Sequence, residues 1–133
     1  MSRYLIDTDW VVDVLRGQQT AIQTLKTIAA DGLAISIITY GELVEGAVYA
    51  RDPVRAQTGL DQFLDGKAIL PLTEGIMDRF GHVRGALRSQ GNLIGDLDLL
   101  IGATAVHHEL ELVTRNRRHF DRIPDLKFFS GPD

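Results

Sequence analysis

The chain has 133 residues, 44% hydrophobic and 24% charged, with a net charge of −4 and no cysteine. That length and balance fit one globular domain over residues 1–133 whose core needs no covalent staple, and the missing cysteine excludes disulfides, zinc–thiolate centres and thiol nucleophiles. Asp7, Asp9 and Asp13 interrupt any early apolar run and no stretch has the length of a membrane span, so no signal peptide is expected and the expected location is the cytoplasm.

Residues 3–7 have the character of a short buried strand, and residues 9–16 of a helix capped by Thr8 or Asp9 and stopped at Gly17. A second helix is expected over residues 20–30, with Ile22, Leu25, Ile28 and Ala29 on one face and Gly32 beyond its end. Residues 33–38 form a second apolar strand, after which Thr39-Tyr-Gly-Glu42 matches a capping box and opens a third helix. Pro53 suits the first turn of a fourth helix over residues 53–64. A strand at 68–72 leads to a long helix at 73–90 with Ile76, Phe80, Val83 and Leu87 on one stripe. The loop 91–95 enters a very apolar helix at 96–108, followed by strands at 111–114 and 127–129. Strands alternating with helices predict an α/β domain with a mostly parallel four- to five-stranded sheet. Right-handed crossovers would gather the ends of the first, second and fourth strands on one edge.

That edge collects acids. Asp7 ends the first strand, Glu42 lies on the first turn of the third helix, and Asp96 and Asp98 open the apolar helix. Each alone reads equally well as a cap or a first-turn acid favoured by the helix dipole. Together they bring carboxylates from three segments to the edge where parallel sheets bind ligands, and carboxylate oxygen suits a hard divalent cation. Asp96 and Asp98 would point about 200° apart within a regular helix. Both reach one site only if Asp96 is the non-helical N-cap, which ranks Asp98 first. Residues 79–122 carry seven arginines, no lysine and five acids, so this segment is positive while the rest of the chain is negative. Arginine grips phosphate with two bonds at once. Arg115 beside the acids is a candidate phosphate contact, and Ser36, Thr39 and Thr114 are candidates for holding acids or substrate.

Four segments then resemble the PIN-domain ribonucleases, and among them the VapC toxins of VapBC toxin–antitoxin pairs. They are Tyr-Leu-Ile-Asp7-Thr-Asp, Ile-Thr-Tyr-Gly-Glu42-Leu, Asp96-Leu-Asp98-Leu-Leu-Ile-Gly-Ala-Thr-Ala and Leu-Val-Thr-Arg-Asn116-Arg-Arg-His-Phe. The resemblance covers nearly the whole chain and implies a three-layer α/β/α fold. It places Asp7, Glu42 and Asp98 at the family's invariant acidic positions, Asp96 at a frequent further acid and Asn116 at a variable acidic or amide position. Gly102, where Ala is common, and His119, where Asp often precedes Phe, depart from the pattern, and His119 is given no metal role. The implied activity is Mg²⁺-dependent endoribonuclease cleavage, with Mn²⁺ as a substitute, of a structured tRNA or ribosomal RNA. The metal would activate water for in-line attack at phosphorus and offset transition-state charge, with Asn116 and Arg115 orienting water or phosphate. The implied partners are a VapB-type antitoxin and a second copy of the chain. Surplus apolar surface at Val44, Ala47, Val48 and Ala50 is consistent with an interface.

Two rivals remain at this level. Ile6-Asp7-Thr-Asp9 resembles the start of a haloacid-dehalogenase-like phosphatase, although no lysine lies between Lys67 and Lys127 to hold a phosphoryl group. Alternatively, the acids only cap helices and the arginines dock RNA or protein without catalysis.

Overall fold

The computed structural model describes residues 2–131. Its strands are β1 (Tyr4–Ile6), β2 (Leu33–Ser36), β3 (Ala68–Leu70), β4 (Glu111–Val113) and β5 (Lys127–Phe128). They form one sheet in the order β3-β2-β1-β4-β5, parallel at every pairing. The helices are α1 (Thr8–Leu15), α2 (Gln19–Ile28), α3 (Ile37–Val48), α4 (Pro53–Leu64), α5 (Glu74–Ser89), α6 (Asp96–His107) and α7 (Arg117–Phe120). The α/β/α layering expected from the sequence is present. Tyr4 and Ile6 pack with Trp10, Val11, Leu25, Leu43 and Leu60 on one face of the sheet, and Leu5 with Val83, Leu87, Leu99 and Leu112 on the other. This division follows from the two-residue alternation of a strand.

Local chemistry sets most boundaries. Gly32 has φ 92° and ends a 3-10 turn over Ala29–Asp31 that replaces the last turn expected of α2. Asp52 and Thr73 cap α4 and α5 by accepting from Arg55 N and Ile76 N. Two starts differ from expectation. Asp7, not Thr8 or Asp9, is the residue before α1, and its carboxylate accepts from Thr8 N. The third helix begins at Ile37, not Thr39, because Ser36 is buried and its hydroxyl accepts from Thr39 N at 3.1 Å. Ile37 and Ile38 look like strand residues by their branching, but the cap supplied by Ser36 starts the helix under them. Glu42 therefore falls on the second turn and is not the far member of a capping box.

α6 is enclosed on more than one side: Leu99, Ile101, Ala103 and Ala105 are all fully buried, and Leu99, Ile101 and Ala105 join the same core as Val83 and Leu87 of α5. Gly102 faces the buried Ile123 and Phe120, and a Cβ there would run into Ile123 Cδ1. This explains locally why Gly stands where the resemblance expects Ala. Gly102→Ala is expected to destabilise the chain by about 1–2 kcal/mol through overpacking. Adding Ile123→Val, which removes the obstructing methyl, should recover most of that loss. Urea melts of the two single variants and the double variant measure this coupling.

Candidate active site

The register Ile6↔Val113 sets Asp7 beside Thr114 at the C-terminal edge of the sheet, and Asp7 N donates to Val113 O at 2.9 Å. Asp7 continues the alternation on the face of Leu5, the face α6 covers. The Asp7 side chain is buried, and both its oxygens are held. Thr8 N donates to Oδ1 at 2.8 Å and the Thr114 hydroxyl to Oδ2 at 2.7 Å. Burial, followed by the neighbouring charge of Asp9, pushes the Asp7 carboxyl up to about 7, and the Asp98 charge adds to this. Asp9 is also raised, first by burial, although Arg115 N and Trp10 N donate to it at 3.0 and 2.7 Å. Among the described residues no Lys, Arg or His pairs with Asp7.

Glu42 joins this edge through Thr8. The Thr8 hydroxyl donates to Glu42 Oε1 at 2.6 Å and stands 3.1 Å from the Thr39 hydroxyl. One residue thus fixes two carboxylates, Asp7 through its amide and Glu42 through its hydroxyl. Sequence reasoning treats Thr8 only as a possible cap; its position between two acids was the available signal. Thr8→Val is expected to lower turnover about 10- to 100-fold, the usual cost of losing a hydrogen bond that orients a ligand. Thr8→Ser should retain the activity, as single-turnover rates on a cleavable RNA would show.

Asp98 sits in the first turn of α6, half-buried, with Oδ2 3.3 Å from His119 Nδ1. Asp96 differs. Gly95, not Asp96, is the N-cap, so Asp96 is helical and exposed, and Arg84 Nε bonds its Oδ1 at 2.8 Å. The condition under which both acids could face one site is not met, and Asp96 ties α6 to α5 instead.

Several predicted contacts are engaged elsewhere. Thr39 is fully buried behind Thr8, which removes it from substrate contact. Thr114 orients Asp7 and accepts from Asn116 N at 3.0 Å. Arg115 bonds Asp13 at 2.8 Å and lies 4.7 Å over the Trp10 ring, so its guanidinium braces α1 rather than reaching for phosphate. Trp10 is buried, in line with a packing role. Arg122 bonds Leu93 O, and Arg117 lies over Phe128. Asn116 is exposed before α7, its side chain free of any capping bond.

Among the described residues no three His, Asp or Glu side chains converge as a ready-made metal cage. The four-carboxylate ligand set expected from the sequence is therefore not assembled. What stands is Asp7 with oriented oxygens near Asp98, with Glu42 clamped alongside. Such a donor set fits Mg²⁺, which commonly takes one or two carboxylates and completes its octahedron with water and substrate oxygens. A cation would also relieve the mutual repulsion of Asp7, Asp9 and Asp98.

The PIN domain family model matches residues 4–126. Ribonuclease VapC2 of Haemophilus influenzae (strain Rd) is 32% identical over 96% of each chain, and ribonuclease VapC19 of Mycobacterium tuberculosis is 34% identical over 92% of this chain and 96% of its own. Among solved structures, the VapBC2 complex of Rickettsia felis bound to a promoter DNA fragment contains a chain with TM-score 0.88 and 30% identity, covering 95% of this chain and 96% of that one.

Proposed function

The chain belongs to the PIN-domain family, among the VapC ribonucleases, and from that premise we propose that it is a divalent-metal-dependent endoribonuclease, the toxin of a toxin–antitoxin pair. Its substrate would be a structured RNA, a tRNA or ribosomal RNA, whose cleavage inhibits translation. The observation that carries this reading is the buried Asp7 carboxylate, held by Thr8 and Thr114 and crowded by Asp9 and Asp98 without a cationic partner. Fixed acids of this kind are costly unless a cation uses them.

Asp7 and Asp98 would hold the ion, and Glu42 would contribute directly or through water. When bound, Mg²⁺ or Mn²⁺ supplies an activated water and stabilises charge at the phosphorus. The chain's own part is preorganisation. Thr8 and Thr114 aim Asp7 and Thr8 aims Glu42, and Asn116, two residues beyond Thr114, would hold water or a phosphate oxygen by its amide. Val48, Tyr49 and Val54 are exposed where α3 meets α4, which supports a contact surface for an antitoxin or a second copy. A basic antitoxin group would find complementary charge at the acids.

The Asp7–Thr8–Asp9 segment does not favour the phosphatase alternative, because among the described residues no lysine pairs with Asp7 to hold a phosphoryl group. The test is incubation of purified tRNA and ribosomal RNA with the full chain in Mg²⁺, Mn²⁺ or chelator. Discrete metal-dependent fragments with 5′-phosphate ends are expected. A folded chain that leaves both RNA classes intact under all three conditions would overturn the proposal.

A further inference from the structure

The edge of the sheet opposite the acids holds a lysine against an apolar wall. Lys67 immediately precedes β3, whereas Asp7 follows β1, and the strands run parallel. Gly66 has φ 76° and turns the chain into β3, with Lys67 N donating to Leu64 O at 3.0 Å. The half-buried Lys67 side chain folds back on α4, where Nζ donates to Phe63 O and stands 4.2 Å from the centre of the Phe63 ring. It borders an open cavity of about 180 Å³ lined by Val14, Ile22, Leu25, Ala29, Leu33 and Phe63. A wider cavity of about 470 Å³ meets the first at Ala29, Leu33 and Lys67. We propose that Lys67 is an acylation site, whose amine takes a short aliphatic acyl group from an acyl thioester.

In the step, the amine nitrogen attacks the thioester carbonyl carbon. The C–N bond forms as the C–S bond breaks, and the surplus proton on nitrogen passes through water to the departing thiolate. The attack needs the neutral amine. Burial lowers the pKa of the Lys67 ammonium against the opposing charge of Asp65. A neutral amine can still donate to Phe63 O, so that bond keeps the nitrogen at the cavity wall once its proton is gone. The cavity supplies room for the acyl chain. An apolar cavity of about 150 Å³ accepts a benzene ring, so this one holds a chain of about four carbons. The sequence contains three lysines, and the other two, Lys26 at the same cavity and Lys127 on β5, are exposed.

The experiment is incubation of the full chain, parent and Ala29→Leu, with the acetyl and butyryl thioesters of N-acetylcysteamine. Peptide mass spectrometry gives the initial rate at each lysine. Lys67 should react on the order of 10-fold faster than Lys127, with Lys26 also behind it. At Lys67 the butyryl donor should exceed the acetyl donor by about 4-fold for each methylene that enters the cavity, and at Lys127 the two donors should react alike. Ala29 is exposed, so Ala29→Leu should melt within a few degrees of the parent. Its larger side chain should fill the cavity, removing the butyryl preference while acetylation of Lys67 changes by about 2-fold or less. Equal rates at the three lysines would overturn the proposal. So would a Lys67 rate indifferent to acyl length, or a butyryl preference that survives in a folded Ala29→Leu chain.

Discussion

Asp7→Asn is expected to abolish RNA cleavage, by on the order of 10³-fold or more, while the chain stays folded and melts above the parent in chelator at pH 8. Asn retains an oxygen for the Thr8 amide, so the start of α1 keeps its cap. What disappears is the negative charge required for an ion. The same change removes a buried charge crowded by Asp9 and Asp98, which is why lost activity and gained stability should appear together. Asp98→Asn should behave alike in activity and melt no lower than the parent in chelator, because it too relieves repulsion. If the two acids serve one ion, the double variant should lose no more activity than either single variant. Single-turnover cleavage and thermal melts of all four proteins test this. A marked fall in the chelator melting temperature of Asp7→Asn would instead make Asp7 a structural cap.

The second large effect is a stability that falls with rising pH in the absence of metal. The Asp7 carboxyl ionises near 3.8 in the unfolded chain and near 7 in the folded one. Between those values the folded state binds the extra proton, so stability declines as pH rises through that window, by roughly 3–5 kcal/mol in total. Asp9, also raised by burial, acts in the same direction. For a chain of this length the decline corresponds to on the order of 10 °C in Tm between pH 5 and pH 8. Asp7→Asn should flatten the dependence, and a divalent ion should restore stability at pH 8 by binding the native carboxylates. A chelated parent equally stable at pH 5 and pH 8 would show that the Asp7 charge is compensated in solution.

Val48 and Tyr49 at the C-terminal end of α3, with Val54 at the start of α4, form an exposed apolar corner, while Asp7 and Asp98 lie at the starts of α1 and α6. A partner that covers this corner and also blocks cleavage would contact both the corner and the acids. An antitoxin with an extended segment would satisfy that requirement, since an extended chain reaches about 3.3 Å per residue.

The sequence by itself determined the layers. Apolar runs such as Leu33-Ala-Ile-Ser36 and the stripe of Ile76, Val83 and Leu87 report burial directly, because strand and helix periodicities follow from backbone geometry. Those patterns, with Pro53 and Gly32 as punctuation, sufficed for the alternation of strands and helices and for a parallel sheet edge carrying Asp7 and Asp98. The direction of each polar side chain was decided only by the tertiary structure. Asp96 and Asp98 are equally acidic and two residues apart, yet Arg84 on α5 holds one and His119 on α7 meets the other. Arg115 read as a phosphate ligand until Asp13 and Trp10 took its guanidinium. Thr8 joined Glu42 only because β1 and β2 are neighbours. Such pairings join residues from 12 to more than 100 positions apart, and no local periodicity encodes them. A polar group at a sheet edge takes whichever donor or acceptor the packing of the apolar groups brings within reach.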